Sequence, residues 1–219
     1  NKITNRTTPI DSWAAMGPLN YAGRCLEIQF NNQNPNTLFV GTAGAGLWRS
    51  YTAGVGPKAW HHVSTGYPVL SVSCMAIHPT DSNTLYIGTG EVYNYGNVGT
   101  GHSVWRTRGS YGMGILKSTD GGTSWKPSLD WSREDLRGVN KIIIDYKNTT
   151  RIIAGTSEGI FISEDDGHTW KKSLKVINVT DLIQKNDNPD IMVAAAGNLL
   201  SSDGGIYKSL DGGVSWTKS

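Results

Sequence analysis

The sequence is poor in charge and has no long apolar run. Charged residues make up 17% of the 219 residues, the formal net charge is +2, and Lys and Arg form no cluster. A nucleic-acid-binding protein concentrates these residues on one surface. A membrane-spanning helix needs roughly 18–20 consecutive apolar residues, which the sequence does not contain. We therefore expect neither a nucleic-acid partner nor a membrane span.

Cysteine is scarce as well, because Cys25 and Cys74 are the only two. They fit two small buried apolar side chains, and they also fit a disulfide between adjacent inner strands. The sequence leaves that choice open. Cys and His do not stand at a spacing suited to zinc, and we interpret the adjacent His61 and His62 as a surface pair. No metal and no cofactor is predicted.

The main feature present is one phrase that occurs three times, at residues 118–125, 163–170 and 209–216. Its aspartates, Asp120, Asp165 and Asp211, are 45 and 46 residues apart. A fixed period of roughly 20–50 residues indicates repeated supersecondary units. Most of the conspicuous residues are therefore expected to build a scaffold rather than to do chemistry.

Each copy lies between two short β-rich runs, which predicts a hairpin with a glycine-bearing loop. The aspartate is expected to accept backbone N–H bonds within its turn, and the Ser and Thr hydroxyls to add further bonds. Glycine allows positive φ, and the tryptophan is expected to pack between neighbouring units. The structural residues predicted on this basis are Ser118, Asp120, Gly122, Trp125, Ser163, Asp165, Gly167, Trp170, Ser209, Asp211, Gly213 and Trp216.

Further apolar runs recur in the same register, and they give four strands per unit. Four antiparallel strands in a radially repeated unit form a blade of a β-propeller, so the predicted fold is all-β. The predicted blades span residues 24–64, 71–128, 138–173 and 178–217, and the first has a degenerate turn at 49–54 with a late Trp60. Residues 11–16 resemble a lone fourth strand that closes the last blade. Since the fourth blade has its own fourth strand, we expect an incomplete, N-terminal part of a propeller with about six to eight blades or more.

The repeated phrase resembles the Asp-box, or bacterial neuraminidase repeat, S-x-D-x-G-x-[ST]-W, and all three copies match every fixed position. Asp-boxes occur in sialidases, sortilin-type propellers, xyloglucan-active hydrolases and photosystem assembly factors. The resemblance implies a β-propeller and leaves the activity open.

Strand order in such blades places the repeated turns at one end and the loops between second and third strands at the other, where propellers usually bind ligands. The second blade inserts a long loop there. Long loops in compact domains are often functional, and aromatic side chains with Arg and carboxylate neighbours suit sugar or peptide recognition. Alternatively, the loop fills the central channel or packs on a neighbouring domain. The predicted binding residues of this loop and its flanks are Glu91, Tyr93, Tyr95, His102, Trp105, Arg106, Arg108 and Tyr111.

Two arginines, Arg24 and Arg137, stand where first strands begin, and they should lie near the channel mouth. Together they could clamp a carboxylate. Solvated surface arginines are the alternative, and Glu134 and Asp135 could neutralise either one.

The sequence lacks the features that define two hydrolase classes. Sialidases carry an Arg-Ile-Pro phrase in the first blade, whereas residues 23–28 here read Gly-Arg-Cys-Leu-Glu-Ile. Xyloglucan-active propellers place a catalytic Asp on an early first strand, and the first two such strands here have none. Glu27 is a single carboxylate, and glycoside cleavage needs a pair. No catalytic residue is predicted.

Over nearly its whole length the chain looks like propellers of large secreted Bacteroidota proteins, which often end in a type IX secretion sorting domain. The start at Asn1, without a targeting segment, is consistent with a processed N-terminus. We predict a secreted or cell-surface binding scaffold that has a glycan or protein ligand, further domains of the same polypeptide and the secretion machinery as partners. The alternative is a glycan-active hydrolase with catalytic residues partly outside this sequence.

Overall fold

The computed structural model of the protein describes residues 23–92, 110–134, 136–197 and 201–219. These residues form sixteen strands in four antiparallel sheets of four strands each. Blade 1 contains β1 (Cys25–Asn31), β2 (Asn34–Thr42), β3 (Leu47–Ser50) and β4 (Trp60–Val63). Blade 2 contains β5 (Val72–Ile77), β6 (Leu85–Thr89), β7 (Gly114–Ser118) and β8 (Lys126–Asp130). Blade 3 contains β9 (Val139–Ile144), β10 (Ile152–Thr156), β11 (Gly159–Ser163) and β12 (Lys171–Leu174). Blade 4 contains β13 (Val179–Lys185), β14 (Asn188–Ala196), β15 (Gly205–Ser209) and β16 (Thr217–Lys218).

Within each sheet the strands follow chain order, so every strand pairs with its sequence neighbour. The first strands of successive blades contact one another, β1 with β5, β5 with β9 and β9 with β13. They are therefore the inner strands of a radial arrangement. The predicted all-β fold of propeller blades is confirmed.

Every inner strand carries one extra residue near its start, where the register to the second strand shifts. In β1, Cys25 pairs with Thr42 and Glu27 with Gly41, so Leu26 is the additional residue. Such a β-bulge bends the strand and redirects a side chain. The four bulge residues are Leu26, Ser73, Asn140 and Thr180.

Three apolar clusters join the blades in pairs. The first packs Phe39 and Leu47 of blade 1 against Val72, Leu116 and Trp125 of blade 2. Trp170 packs on the cluster between blades 2 and 3, and Trp216 on the cluster between blades 3 and 4. The three tryptophans thus lie between neighbouring blades.

The repeated phrase forms a turn in each of blades 2, 3 and 4, which we call the Ser-Asp turn. In the copy at 118–125, Ser118 Oγ donates to Asp120 Oδ1 at 2.8 Å and accepts from Gly122 N at 2.8 Å. Asp120 also accepts from the backbone N (2.8 Å) and the hydroxyl (2.6 Å) of Ser124. Blade 1 keeps part of this geometry, since Ser50 Oγ accepts from Gly54 N at 2.8 Å.

Close approach between blades requires glycine in the second strands of blades 2 and 3. A Cβ on Gly88 would lie 2.9 Å from Val139 Cβ, and one on Gly155 would lie 2.8 Å from Val179 Cγ1. In each case the valine begins the inner strand of the next blade, so these glycines set how closely successive blades pack.

Cys25 and Cys74 are both free thiols in the structure, and only Cys74 is buried. Cys25 pairs across its sheet with Thr42, whereas Cys74 pairs with Gly88 beyond the bulge of β5. The two cysteines thus occupy different registers, and Cys74 Sγ contacts Val139 O of blade 3 at 3.6 Å. Cys74 is therefore a small buried side chain, as one of the two interpretations expected, and the two cysteines form no disulfide. The predicted closing strand at 11–16 lies outside the described residues.

Candidate functional site

The strand order separates two ends of the molecule. One end, the turn face, carries the three Ser-Asp turns, which connect third and fourth strands. The other end, the loop face, carries the loops between second and third strands and the connections between blades. Two of the three clefts described below lie on the loop face.

A cavity of about 190 Å³ lies between the starts of the inner strands. All four bulge residues line it, together with Glu91, Val92 and Asn178. The Asn140 side chain links blade 3 to the start of blade 4, since its Nδ2 donates to Asn178 Oδ1 at 3.1 Å and to Val179 O at 2.8 Å. Three of the four bulges, at Ser73, Asn140 and Thr180, therefore place polar side chains between the inner strands.

An ion pair between Arg24 and Glu91 lies beside this cavity. The two side chains are joined by two contacts, and Arg24 Nη2 lies 2.7 Å from Glu91 Oε2. Glu91 is only 3% exposed, whereas Arg24 is 49% exposed. A buried carboxylate needs a partner to stay charged, so Arg24 of blade 1 supplies the opposite charge to blade 2.

Three further charged groups of inner strands act on one another. Burial raises the pKa of the Glu27 carboxyl, Lys141 lowers it and Asp181 raises it again. Lys141 Nζ lies 3.7 Å from Asp181 Oδ1. The structure therefore brings two carboxylates and one ammonium from blades 1, 3 and 4 toward a common region, a grouping that sequence analysis did not predict.

Arg137 has a different partner from Arg24. Its Nη2 lies 3.1 Å from Glu134 Oε2, and its guanidinium stacks over the Trp131 ring at 5.3 Å from the centroid. The two predicted channel arginines are thus each paired with a carboxylate of this chain. Asp135, the other predicted neutralising residue, lies outside the described residues.

A larger cleft of about 380 Å³, the Tyr111 cleft, lies on the loop face between blades 1 and 2. Tyr111 is 49% exposed there. At its floor the Ser71 hydroxyl is 1% exposed and has no hydrogen-bond partner among the described residues. The lining residues are Tyr67, Pro68, Val69, Leu70, Ser71, Thr89, Tyr111, Gly112, Met113, Pro127, Asp130 and Ser132.

The cleft combines flat apolar walls with fixed polar groups. Asp130 accepts from Ser132 N at 2.9 Å, and this bond holds the pKa of its carboxyl below the usual range, so it stays ionised. Thr89 Oγ1 donates to Gly114 O at 2.7 Å and accepts from Met113 N at 2.8 Å. These bonds fix the backbone that carries Tyr111. Among the lining residues only Tyr111 was predicted from the sequence, because most of the other walls come from two distant segments, 67–71 and 127–132.

The third cleft, of about 310 Å³, lies on the turn face and is lined by Lys117, Ser128, Asp166, His168 and their neighbours. Its walls are already joined, since Ser128 Oγ donates to Gly167 O at 2.6 Å and Lys117 Nζ to Asp166 O at 2.8 Å. It is a groove over an interface between blades.

Six of the predicted binding residues, Tyr93, Tyr95, His102, Trp105, Arg106 and Arg108, lie in the stretch 93–109, outside the described residues. In the described part of the chain, His, Cys, Asp and Glu side chains form no group of three or more suited to a metal ion. Nor do the described residues include a helix long and apolar enough to cross a membrane.

Solved structures of different kinds share this fold. An ancestral GH74 enzyme is similar with a TM-score of 0.65 and 18% identity over 90% of this chain and 24% of its own. An extracellular domain assigned to a hybrid two component system of B. thetaiotaomicron has a TM-score of 0.57 and 18% identity over 89% of this chain and 21% of its own. YCF48 bound to D1 peptide has a TM-score of 0.56 and 17% identity over 95% of this chain and 57% of its own.

These likenesses establish a β-propeller fold and, at such low identity, no activity. The chain spans less than a third of the length of the first two neighbours and little more than half of YCF48. No protein-family model matches this chain, and no curated protein is similar to it.

Proposed function

We propose that this protein is a binding module, an Asp-box β-propeller that takes a glycan or an extended peptide on its loop face. The Tyr111 cleft supports this proposal most directly. Sugars and extended peptides combine apolar faces with many hydrogen-bonding groups, and they suit a site with aromatic walls and a few fixed polar groups. Tyr67 and Tyr111 supply the walls, and Asp130 supplies an acceptor.

The unpaired hydroxyl of Ser71 adds a second argument. Buried polar groups are nearly always hydrogen-bonded, and this one lines a cleft that is open to a ligand. A ligand hydroxyl or amide at the floor of the cleft would satisfy it. Two of the neighbours are compatible with such a role, since one is a peptide complex and another is an extracellular domain.

The proposal is tested with Tyr111→Ala on glycan and peptide arrays. We expect a loss of affinity on the order of tenfold, equivalent to about 1.4 kcal/mol. Tyr51→Ala is a matched control, because Tyr51 is 51% exposed but belongs to the turn of blade 1 on the opposite face. Unchanged binding by Tyr111→Ala would exclude the cleft. Trp105→Ala and Arg106→Ala test the inserted loop in the same assay.

A second candidate, glycoside hydrolysis, is favoured by the group Glu27, Lys141 and Asp181. A general acid needs a raised pKa beside a second carboxylate that stays ionised. Burial raises the pKa of Glu27, while Lys141 lowers it and Asp181 raises it by smaller amounts. The test is hydrolysis of xyloglucan and aryl glycosides. Loss of activity in both Glu27→Gln and Asp181→Asn would support it, and no activity in the unsubstituted protein would exclude it for this chain.

The proposed location is the cell surface or the medium, after type IX secretion, with further domains on the same polypeptide. It rests on the resemblance to large secreted Bacteroidota proteins. Deleting the type IX machinery in a bacterium that makes this protein should retain it in the cell. Unchanged release would refute this route while leaving the binding proposal intact.

A further inference from the structure

The three interfaces between neighbouring blades share one contact on the turn face. The carbonyl of the fourth residue of each Ser-Asp turn accepts a hydrogen bond from a cation of the preceding blade. The bonds are Arg49 Nη1 to Gly121 O (2.6 Å), Lys117 Nζ to Asp166 O (2.8 Å) and Arg151 Nη2 to Gly212 O. Charge-assisted bonds of this kind are stronger than neutral ones, so each fixes the turn of one blade on the sheet before it.

A serine of the fourth strand makes a second contact. Ser128 Oγ donates to Gly167 O at 2.6 Å and accepts from Trp170 Nε1 at 3.2 Å. In the next interface, Ser173 contacts Gly213 O and Trp216 Nε1 (2.9 Å) in the same way. Both serines stand three residues after the tryptophan of their own turn. The serine of one blade thus binds the tryptophan of the next.

Blade 4 carries these same groups on the face that points away from blade 3. Lys208 directly precedes its turn, as Lys117 does, and pairs with Thr217 as Lys117 pairs with Lys126. Ser219 follows Trp216 by three residues, the position of Ser128 and Ser173 in their blades. Both Lys208 and Ser219 are exposed, and the described residues give neither side chain a partner.

Apolar residues on this face match those that pack in the established interfaces. In blade 3, Ile153 and Ile160 pack on blade 4. Val193 and Ile206 stand in the equivalent registers of blade 4, and Ile183 pairs with Val193 as Ile143 pairs with Ile153. Ile183 is 58% exposed and Ile206 is 47% exposed. The exposed face of blade 4 therefore has apolar residues at the positions that are apolar in the other interfaces. It has polar residues at the positions where those interfaces bind a Ser-Asp turn.

We propose that this face of blade 4 binds a further blade of the same repeat, which follows Ser219 on the same polypeptide and carries a complete Ser-Asp turn. Lys208 donates to the carbonyl of the fourth residue of that turn. Ser219 donates to the carbonyl of the fifth residue and accepts from the indole N–H. Three interfaces within this chain show the contact of the cation and two show that of the serine, so the new one continues an established pattern.

A second copy of this chain fits the face less well. Its available surface would be the exposed side of blade 1, where Ile28 is 60% exposed. Blade 1 has no complete Ser-Asp turn, because Thr52 stands at the position of the aspartate, two residues after Ser50, and Trp60 comes ten residues after Ser50 rather than seven. The turn offered to Lys208 and Ser219 would therefore differ from the three complete Ser-Asp turns.

One position of blade 4 differs and makes the proposal more specific. Ala195 stands in the register of Gly88 and Gly155, which contact the valine that begins the next inner strand. The methyl group of Ala195 leaves less room there. The inner strand of the further blade therefore begins with a residue smaller than valine.

The test extends the chain after Ser219 with a second copy of residues 174–219, in which the copied Val179 is changed to Ala. We expect the appended amides to become protected from hydrogen exchange. In the extended chain, Lys208→Ala and Ser219→Ala should each lower the melting temperature by about 2–4 °C. In the original chain both substitutions should leave the melting temperature unchanged, and Lys218→Ala, at the exposed residue before Ser219, serves as the control in both.

Three results would overturn the proposal. The appended copy could stay unprotected while blades 1–4 remain folded. Lys208→Ala and Ser219→Ala could have the same effect in both chains. The original chain could sediment as a dimer and show hydrogen-exchange protection at Ile183 and Ile206, which would assign the face to a second copy.

Discussion

The Tyr86 hydroxyl donates a hydrogen bond to Asp166 Oδ1 at 2.6 Å and links the second strand of blade 2 to the Ser-Asp turn of blade 3. Asp166 has φ 59°, where the other two complete turns have glycines at φ 70°. A non-glycine residue is disfavoured in this region. The Asp166 side chain is retained there by bonds from Tyr86 and Lys117. Burial raises the pKa of Asp166, but these bonds outweigh it and hold the pKa below the usual range.

Removing this hydroxyl should destabilise the protein. Tyr86 is fully buried, so Tyr86→Phe removes a bond without opening a cavity, and we expect a loss of about 1 kcal/mol in the free energy of unfolding. Urea denaturation measures it. Tyr146→Phe is the control, because Tyr146 is 40% exposed. Equal effects of the two substitutions would mean that the bond to Asp166 contributes nothing.

The serine between blades is a second point at which stability can be tested. Ser128→Ala leaves Trp170 Nε1 and the Gly167 carbonyl without the bonds that Ser128 gives them. Leaving buried groups unpaired costs about 1–3 kcal/mol. We expect Ser128→Ala to lower the urea midpoint and Ser64→Ala, at an exposed position, to leave it unchanged. If Ser128→Ala left the urea midpoint unchanged, the proposed role of Ser219 would also be weakened.

The scaffold was predictable because it is repeated. Three copies of one turn fix the strand period, the hairpin and the buried tryptophan, each of which follows from local chemistry. The serine three residues after each tryptophan was visible in the sequence too, at 128, 173 and 219. Its role was not, since Ser128 acts on a turn 39 residues further along the chain.

The candidate site was predictable only in part, because contacts between distant segments build it. Tyr111 was identified from its loop, whereas Ser71 and Asp130 reach the same cleft from the ends of other strands. Arg24 and Glu91 were both predicted as ligand-binding candidates, but not as partners of each other. The two residues are 67 positions apart in the chain, and their pairing depends on how blades 1 and 2 pack.

The pair of Arg24 and Glu91 predicts an asymmetry between two substitutions. Arg24→Ala leaves a carboxylate that is 3% exposed without the guanidinium that neutralises it, and we expect a loss of about 1–3 kcal/mol. Glu91→Gln places a neutral amide at the buried position and leaves the exposed arginine to water, so its cost should be smaller. Urea denaturation at neutral pH compares them. A larger loss for Glu91→Gln would contradict this assignment of the buried charge.

The Ser-Asp turns should also make stability depend on acid. Hydrogen bonds from Ser124 and Ser118 lower the pKa of Asp120 from 3.8 to about 2, and those from Ser215 and Ser209 do the same for Asp211. A carboxyl whose pKa is lower in the folded state stabilises the fold above its unfolded pKa and loses that effect as pH falls through the folded value. We therefore expect the melting temperature to fall between about pH 4 and pH 2 through these groups.

Asp120→Asn isolates the contribution of one turn to this acid dependence. The amide cannot accept the same set of bonds with a full negative charge, so the variant should melt at a lower temperature than the parent at pH 7. Below pH 2 the difference should shrink, because the parent aspartate is then protonated as well. Asp190→Asn is the control, because Asp190 is exposed and its carboxylate accepts no hydrogen bond from the described residues. A difference between Asp120→Asn and the parent that is independent of pH would show that the charge of the turn is not what stabilises it.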